Sequence, residues 1–511
     1  MEELALPLLL GSLAVAVGVW LLVFRRANKL PLPPGPRGWP VLGNLPQVGA
    51  KPHHTMCELA RQYGPLFRLR FGSAEVVVAA SAEVAAEFLR THDANFSSRP
   101  PNSGAEHVAY NYQDLVFAPY GSRWRALRKL CALHLFSGKA LDELRSVREG
   151  ELALLVKELA RPAGGAAVAL GQAANVCATN TLARATVGRR VFAVDGGEGA
   201  REFKEMVVEL MQLAGVFNVG DFVPLLRPLD PQGVVRRMKR LHRRYDDMMN
   251  EIIRERKAAK EGKDLLSVLL ARMQEQQPLA EGEDGSITET DIKALLLNLF
   301  TAGTDTTSST VEWALAELIR HPDVLNKAQQ ELDAVVGRDR LVSESDLPRL
   351  AYLTAVIKET FRLHPSTPLS LPRVAAEECE VAGFRIPAGT TLLVNVWAIA
   401  RDPVAWPDPL QFRPARFLPG GSHAGVDVKG SDFQLIPFGA GRRICAGLSW
   451  GLRMVTLMTA TLVHAFDWDL PHGMTPDKLD MEEAYGLTLQ RAVPLVVRPL
   501  PRLLPSAYAV E

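Results

Sequence analysis

The sequence predicts a mainly α-helical protein with a smaller β region, preceded by one N-terminal membrane-spanning helix. Three observations support this prediction. Helical periodicity fills much of the chain, a few short runs have strand character, and residues 4–24 carry no charge. The 511 residues have an ordinary globular composition, of which 47% are hydrophobic. We divide the chain into an anchor (residues 1–24), a basic and proline-rich hinge (residues 25–42) and one large domain (residues 43–511).

Residues 4–24 have the length and composition of a transmembrane helix. At about 1.5 Å per residue, this uncharged run spans a hydrocarbon core of roughly 30 Å. Arg25, Arg26 and Lys29 follow it, so the positive-inside rule leaves the large domain in the cytosol. The alternative is a cleaved signal peptide, but the apolar run is long for a signal core and ends in basic residues. Residues 31–40 contain five prolines and predict a semi-rigid spacer.

Strand-like runs are few in the large domain, and helical runs are many. The predicted strands are residues 66–72, 75–81 and 392–400. The predicted helices are residues 140–159, 201–214, 234–257, 291–318, 322–336 and 351–363. A polar segment with proline and glycine over residues 274–290 predicts an exposed loop before the long helix.

Charge and cysteine usage exclude several classes of function. The 58 Lys and Arg against 57 Asp and Glu leave a net charge of +1, which gives no electrostatic reason to expect nucleic acid as a partner. Five cysteines lie far apart without a C-x-x-C motif, so neither a disulfide framework nor a zinc finger fits. Without an H-E-x-x-H pair, a helix-borne zinc hydrolase site is also disfavoured.

The most informative segment is PFGAGRRICAG, residues 437–447, which precedes an apolar helical run. Its glycines allow the backbone to turn tightly and approach a flat cofactor. A thiolate just before a helix N-terminus gains from the helix dipole and from free N–H donors, which lower its pKa. Such a single soft axial ligand suits a haem iron. The alternative, a glycine-rich turn with an incidental cysteine, does not explain a pattern that fits at fixed offsets: Phe438, Gly441, Arg443, Cys445 and Gly447.

This segment resembles the haem-binding loop of the cytochrome P-450 monooxygenases, and the resemblance extends over roughly the whole span from residue 33 onward. It implies the haem-thiolate fold of that family, with haem b whose iron is bound by Cys445, and dioxygen as co-substrate. It also implies contacts between the haem and five further residues, namely Trp124, Arg128, Arg373, Phe438 and Arg443. The arginines and the tryptophan would pair with the haem propionates, because an unpaired buried charge costs several kcal/mol.

The long helix carries the stretch AGTDTT, residues 302–307, in which Ala302 and Thr306 share one face. Gly303 removes a side chain where a ligand can approach, and the threonines can bond back to earlier carbonyls. From the residues alone this is also consistent with a locally strained helix without a further role. The family resemblance implies that Thr306 and Asp305 deliver protons to dioxygen through water.

Glu359 and Arg362, at i and i+3 on a predicted helix, would on their own be a surface ion pair worth about 0.3 to 0.5 kcal/mol. The resemblance implies instead that they form a structural network with Arg416 beneath the haem loop.

The chain carries neither a G-x-G-x-x-G fingerprint nor a flavin-binding half, so electrons must come from another protein. The resemblance implies NADPH–cytochrome P-450 reductase, docked on a basic face near the cysteine formed by Arg125, Arg128, Lys129 and Arg442. It further implies a single-pass protein of the endoplasmic reticulum membrane, in contact with lipid, whose catalytic domain is cytosolic.

Family positions predict a mainly apolar substrate pocket with few polar groups, formed by Leu299, Ala302, Thr367, Leu369, Ser370, Leu371 and Thr488. Residues 76–81, 99–121, 426–430 and 482–492 are similar to the flavonoid 3'-hydroxylases of plants. This resemblance implies hydroxylation of the flavonoid B-ring at the 3' position, in flavanones, flavones, flavonols and dihydroflavonols. A threonine at position 488 favours single hydroxylation over the 3',5' pattern.

Three other functions share part of this evidence. A hydroxylase of another plant phenolic or terpenoid, or a flavonoid 3',5'-hydroxylase, would carry the same catalytic motifs. An isomerase or dehydratase of the same fold would need no reductase, but such proteins tend to lose the acid and threonine that Asp305 and Thr306 retain. A haem sensor or membrane scaffold that oxidises nothing is disfavoured by the same pair.

Overall fold

The structure is a computed structural model that describes residues 30–161, 166–193, 197–259, 262, 264–276 and 286–509. The predicted anchor over residues 4–24 and most of the predicted loop over residues 274–290 lie outside these ranges. In the part of the chain that is described, every helix is too short or too polar to cross a bilayer.

The described chain is mainly helical, as predicted. Its α-helices, numbered in chain order, are α1 (Pro52–Tyr63), α2 (Ala82–Ala86), α3 (Ser103–His107), α4 (Ser122–Cys131), α5 (Gly138–Glu143), α6 (Arg145–Ala160), α7 (Leu170–Val187), α8 (Gly197–Gly215), α9 (Val219–Phe222), α10 (Val234–Ala258), α11 (Leu265–Gln274), α12 (Glu289–Arg320), α13 (Pro322–Val336), α14 (Ala351–Leu363), α15 (Val396–Ile399) and α16 (Leu448–Ala465).

The β region is smaller and divided among several sheets. Its strands are β1 (Leu66–Phe71), β2 (Ala74–Ala79), β3 (Val168–Ala169), β4 (Arg373–Val374), β5 (Cys379–Val381), β6 (Phe384–Ile386), β7 (Thr391–Val394), β8 (Phe466–Asp469), β9 (Glu483–Ala484), β10 (Gln490–Arg491) and β11 (Val496–Pro501). The main sheet has the order β1-β2-β7-β4, in which β2 and β7 run parallel and the other pairs antiparallel. A second sheet has the order β3-β11-β8, while β5 pairs with β6 and β9 with β10.

Helix α12 is the long central helix, and most of its side chains are buried. A capping box sets its start, because the Thr288 hydroxyl accepts from the Asp291 N–H (3.2 Å) and the Asp291 carboxylate accepts from the Thr288 N–H (2.8 Å). Its 32 residues give a length of about 48 Å at 1.5 Å per residue. Helices α7 and α16 pack against it within the largest hydrophobic cluster. One continuous helix therefore carries residues 302–307 through the core.

Five of the six predicted helices appear with ends shifted by four residues or less, and those over 322–336 and 351–363 match to the residue. Two predictions need correction. The helix predicted over 140–159 is divided into α5 and α6 at Leu144, because the backbone dihedral angles of that residue lie outside the α-helical region. The strand predicted over 392–400 ends at Val394, because the Asn395 side chain accepts from the Ala398 N–H (3.0 Å) and caps α15.

Candidate active site

A largely apolar cavity of about 330 Å³ lies between α12 and the loop that carries Cys445. It draws its walls from segments hundreds of residues apart in the sequence. Thirteen of the sequence-predicted site residues line it: Trp124, Arg128, Leu299, Ala302, Thr306, Thr367, Ser370, Leu371, Arg373, Phe438, Arg443, Cys445 and Thr488. The fold thus gathers most of the predicted site around one enclosed space.

Cys445 sits in the wall of this cavity just before α16, in the order that the sequence predicts. Its side chain is exposed, but the surrounding protein desolvates it, because the exposed surface faces the cavity. The Cys445 N–H donates to the Phe438 carbonyl (3.0 Å), which fixes the loop around the sulfur. The expected lowering of the thiol pKa does not prevail. Burial raises the pKa of Cys445, against smaller lowering effects of the Gly447 N–H and of Arg128.

Four arginines in the cavity wall form a cationic group, in which Arg373 and Arg443 are buried and Arg99 and Arg128 are half-buried. The sequence did not point to Arg99. Burial lowers the pKa of Arg373 and of Arg443 to about 10. Burial, with repulsion from Arg373 and Arg443, lowers the pKa of Arg99 as well. The Nη1 atoms of Arg373 and Arg443 are buried and make no hydrogen bond within the described residues. Arg128 completes the group and donates to the Ile444 carbonyl (2.8 Å).

These residues fit a haem. The Asp93 carboxylate lies 3.8 Å from the Arg373 Nη1, yet one carboxylate does not balance four clustered guanidinium groups, and the two propionates of haem would add the missing negative charge. The Cys445 thiol faces the same space and would hold the haem iron as a thiolate. The indole N–H of Trp124 donates to the Leu115 carbonyl (3.1 Å). Its ring stacks under the guanidinium groups of Arg443 and Arg128, at 4.6 and 5.3 Å from the ring centroid.

The threonines of α12 bond back to the helix, as the sequence predicts. Thr301, Thr304, Thr306 and Thr307 each donate to the carbonyl four residues earlier, over 2.7 to 3.1 Å. Gly303 lines the cavity, yet a Cβ added there would come within 2.8 Å of Leu182 on α7. The missing side chain therefore also permits close packing of two helices.

Among the predicted catalytic, haem-binding and substrate-binding residues, Asp305 and Leu369 lie outside the cavity wall. Asp305 is 2% exposed, and its carboxylate accepts from the Thr488 hydroxyl (2.6 Å) and from the Gln490 amide (2.9 and 3.1 Å). Leu369, predicted as a substrate contact, packs in the core beside the main sheet and not in the cavity wall. The reason is a tight turn in which Ser370, at φ 50°, donates its N–H to the Thr367 carbonyl.

The predicted network of Glu359, Arg362 and Arg416 is present and fully buried. Arg362 makes a two-pronged contact with the Glu359 carboxylate (2.8 and 2.9 Å), and the Arg416 Nε donates to the same carboxylate (3.1 Å). The remaining guanidinium donors bind backbone carbonyls of residues 400–411. The network ties α14 to the chain that leads toward the cysteine loop.

Two polar residues of the cavity were not singled out from the sequence. Asp114 is buried, accepts from the Phe117 N–H (2.9 Å) and from the Asn298 amide (2.9 Å), and burial raises its pKa to about 6. Asn298 of α12 in turn accepts from the N–H groups of Leu115 and Val116. A carboxylate next to an apolar run is a common pattern, so only its burial distinguishes Asp114.

The predicted basic face needs one correction. Arg125, Lys129 and Arg442 are exposed, and the guanidinium carbons of Arg125 and Arg442 lie 5.8 Å from the ring centroid of Tyr120. Arg128 does not belong to this face, because it is half-buried and donates to the Ile444 carbonyl in the cavity wall. The three exposed residues leave a local cationic surface on the cysteine side.

A helical fold in which a cysteine and buried arginines share a cavity with a threonine-rich helix defines a haem-thiolate protein. The chain belongs to the cytochrome P450 family, which it matches over residues 33–495. The class is therefore a haem-thiolate monooxygenase that uses dioxygen and electrons from NADPH delivered by a reductase.

Within this family the chain is 80% identical to a flavonoid 3'-monooxygenase of Oryza sativa subsp. japonica, over 100% of both chains. It is 63% identical to a flavonoid 3'-monooxygenase of Petunia hybrida, over 95% of both chains. A flavonoid 3',5'-hydroxylase of Solanum melongena is 48% identical, over 96% of this chain and 93% of that protein.

Proposed function

We propose that this protein hydroxylates the 3' carbon of the flavonoid B-ring, using NADPH and dioxygen. One oxygen atom enters the C–H bond and the other leaves as water, with two electrons from NADPH. The observation that carries the proposal is the cavity that joins Cys445 and Thr306, in a chain 80% identical to a flavonoid 3'-monooxygenase. The proteins named flavonoid 3',5'-hydroxylase are 48 to 60% identical to this chain, and those named flavonoid 3'-monooxygenase are 60 to 80% identical, over similar lengths.

We assign roles to the residues of this cavity as follows. Cys445 would hold the haem iron, while Arg373 and Arg443, together with Arg99 and Arg128, would hold the propionates. When bound, haem supplies the redox chemistry that activates dioxygen. Thr306 borders the cavity and its hydroxyl donates to the Ala302 carbonyl (2.9 Å), which leaves its oxygen free to accept from water. Protons would pass by this hydroxyl from the neighbouring Asp305.

The chemistry of the cavity wall suits a flat phenolic substrate. Leu299, Ala302 and Leu371 offer apolar surface, which favours an aromatic ring system. Thr367 and the pair Asp114 and Asn298 offer polar atoms for its hydroxyl groups, and we infer that they orient the ring.

We also propose that the protein is anchored in the endoplasmic reticulum membrane by residues 4–24. The hinge that follows exposes Trp39 (58%) and Val41 (69%), and the segment after α9 exposes Leu225 (86%) and Leu229 (71%). Both segments reach one turn between β1 and β2, since the Gly72 N–H donates to Leu42 and the Ser73 N–H to Phe222. Apolar side chains exposed on one side of a domain are consistent with contact to lipid.

We infer that the reductase docks on the cationic surface formed by Arg125, Lys129 and Arg442, which differs in charge from the apolar surface just described. Opposite charges steer such transient encounters and make them sensitive to salt. Replacing all three by glutamine should slow electron transfer at low ionic strength and reduce its salt dependence. The haem spectrum of this variant, measured without reductase, should match that of the wild type.

The function is tested by product analysis. Membranes that contain the protein and its reductase are incubated with NADPH and naringenin, a flavanone with a 4'-hydroxyl group. We expect the 3',4'-dihydroxy product, which depends on NADPH and is absent from membranes that carry Cys445→Ser. A 3',4',5'-trihydroxy product would instead assign the 3',5'-hydroxylase activity. Absence of product with an intact carbon-monoxide difference band would refute flavanone hydroxylation and retain the monooxygenase class.

A further inference from the structure

The proton-donating carboxyl proposed above is held by two residues of the C-terminal segment. Asp305 lies behind the cavity wall, so substrate does not reach it directly. Its Oδ2 accepts from the Thr488 hydroxyl (2.6 Å), and the Gln490 amide lies 2.9 Å from Oδ1 and 3.1 Å from Oδ2. Thr488 is 4% exposed and does line the cavity, whereas Gln490 does not. Thr488 therefore joins the cavity wall to the buried carboxyl.

The segment that carries these two side chains is fastened through its backbone. The Leu487 N–H donates to the Met211 carbonyl (2.7 Å), and the Leu489 N–H donates to the Ser366 carbonyl (2.8 Å). The Leu489 carbonyl accepts from the Ser309 hydroxyl of α12 (3.1 Å). The chain bends at residues 486–488, and on this path the side chains of residues 488 and 490 meet the same carboxyl.

We propose that Thr488 and Gln490 are positioning residues for Asp305, which set the orientation of its carboxyl and hence the timing of proton delivery. The proposal rests on the proposed function, because it takes Asp305 as the proton donor of that reaction. The Thr488 hydroxyl then acts by donating a hydrogen bond to Asp305, and this role is separate from the effect of the side chain's volume on the cavity.

Electrons from NADPH can end in either of two products, hydroxylated substrate with water or hydrogen peroxide. In coupled turnover, substrate, dioxygen, NADPH and one proton give hydroxylated substrate, water and NADP⁺. When protons arrive without correct timing, dioxygen, NADPH and one proton give hydrogen peroxide and NADP⁺, and the substrate is unchanged. Misplacing the Asp305 carboxyl should therefore shift NADPH from product to peroxide.

The charged surroundings of Asp305 allow a second readout. Burial raises the pKa of Asp305, and the bonds from Thr488 and Gln490 lower it because they stabilise the ionised form. Lys204 of α8 lowers it as well, while Tyr245 of α10 and Glu312 of α12 also face this carboxyl. Loss of either hydrogen bond should therefore raise the pKa of Asp305.

Three variants separate the hydrogen bonds from the shape of the cavity. Gln490→Leu removes the amide donor without altering the cavity wall. Thr488→Val removes the hydroxyl at nearly constant volume, and Thr488→Ser keeps the hydroxyl while reducing the volume. In Gln490→Leu and Thr488→Val, peroxide formed per NADPH should rise about two- to tenfold, the ratio that corresponds to one net hydrogen bond. Thr488→Ser keeps the hydroxyl donor to Asp305, so its peroxide ratio should be lower than that of Thr488→Val, whatever its effect on the position of attack.

The second measurement is an infrared titration of the Asp305 carboxyl, isolated by difference against Asp305→Asn, and it requires no turnover. The protonated band should persist to higher pH in Gln490→Leu and Thr488→Val than in the wild type and Thr488→Ser. Each variant is first checked for an intact carbon-monoxide difference band, and Gln490→Met replaces Gln490→Leu if the latter lacks it. The proposal would be overturned if Thr488→Val and Gln490→Leu showed the same peroxide ratio and the same titration midpoint as the wild type. Failure of the wild type to hydroxylate any flavonoid would refute the proposed function alone, because the titration still reports the positioning.

Discussion

Replacing Glu359 by glutamine would leave two buried guanidinium groups without the carboxylate that they share. The side chains of Glu359, Arg362 and Arg416 are all 0% exposed. The carboxylate accepts from Arg362 twice and from Arg416 once, and from the Arg413 N–H (2.8 Å). Glutamine keeps the shape but removes the charge and presents one NH₂ group to a site built of donors. Breaking a buried ion pair in this way costs about 3 to 5 kcal/mol.

A matched control comes from an ion pair with the same spacing on the surface. Glu158 and Arg161 are also at i and i+3, with Nη1 2.7 Å from Oε2, but their side chains are 30% and 65% exposed. Glu158→Gln should therefore cost only about 0.3 to 0.5 kcal/mol. An unfolding entropy of roughly 2.1 cal/mol/K per residue gives the chain about 1.1 kcal/mol/K, so 3 to 5 kcal/mol lowers the melting temperature by about 3 to 5 °C.

The assay is thermal unfolding of both variants and the wild type at one scan rate, with the carbon-monoxide difference band followed in parallel. Glu359→Gln should melt several degrees lower and lose the band early, whereas Glu158→Gln should move by less than about 1 °C. Equal, small shifts in both variants would refute the reasoning, because they would mean that the buried arginines need no shared carboxylate.

Three further predictions concern the site and the pH dependence of stability. Cys445→Ser should abolish the carbon-monoxide difference band of a thiolate ligand, and a surviving band would remove Cys445 from that role. Thr306→Ala should keep the haem spectrum but divert NADPH to peroxide, and unchanged coupling would contradict its part in proton delivery. Asp346→Asn should destabilise the fold by about 1 to 2 kcal/mol at pH 7, since the hydrogen bond from Arg340 lowers the pKa of Asp346 to about 2. A lowered pKa stabilises the fold above the unfolded value of 3.8, so the difference in urea unfolding should disappear as the pH falls from about 4 to 2, and a constant difference would contradict it.

The comparison of the two ion pairs explains why some site residues could be predicted and others could not. Glu359 with Arg362 and Glu158 with Arg161 have the same spacing in the sequence, and only burial separates a structural network from a surface contact. The same holds for Asp114, whose neighbours in the sequence do not reveal that Asn298, 184 residues away, meets it in the cavity wall. Pairings across such distances depend on packing, which no local pattern encodes.

Local patterns determined the elements and the reactive group. Helical periodicity located α13 and α14 to the residue, and the fixed offsets of glycine, arginine and cysteine located the proposed haem ligand, Cys445, before α16. These features depend on neighbours within one or two turns, so the sequence contains them directly. Tertiary structure alone decided which side each side chain faces and what desolvates it. Leu369 packs in the core, Arg128 lies in the cavity wall, and the Thr488 hydroxyl donates to Asp305, which is 183 residues away in the sequence. Burial and hydrogen bonding at these positions depend on segments that meet only in the folded chain, so the local sequence does not determine them.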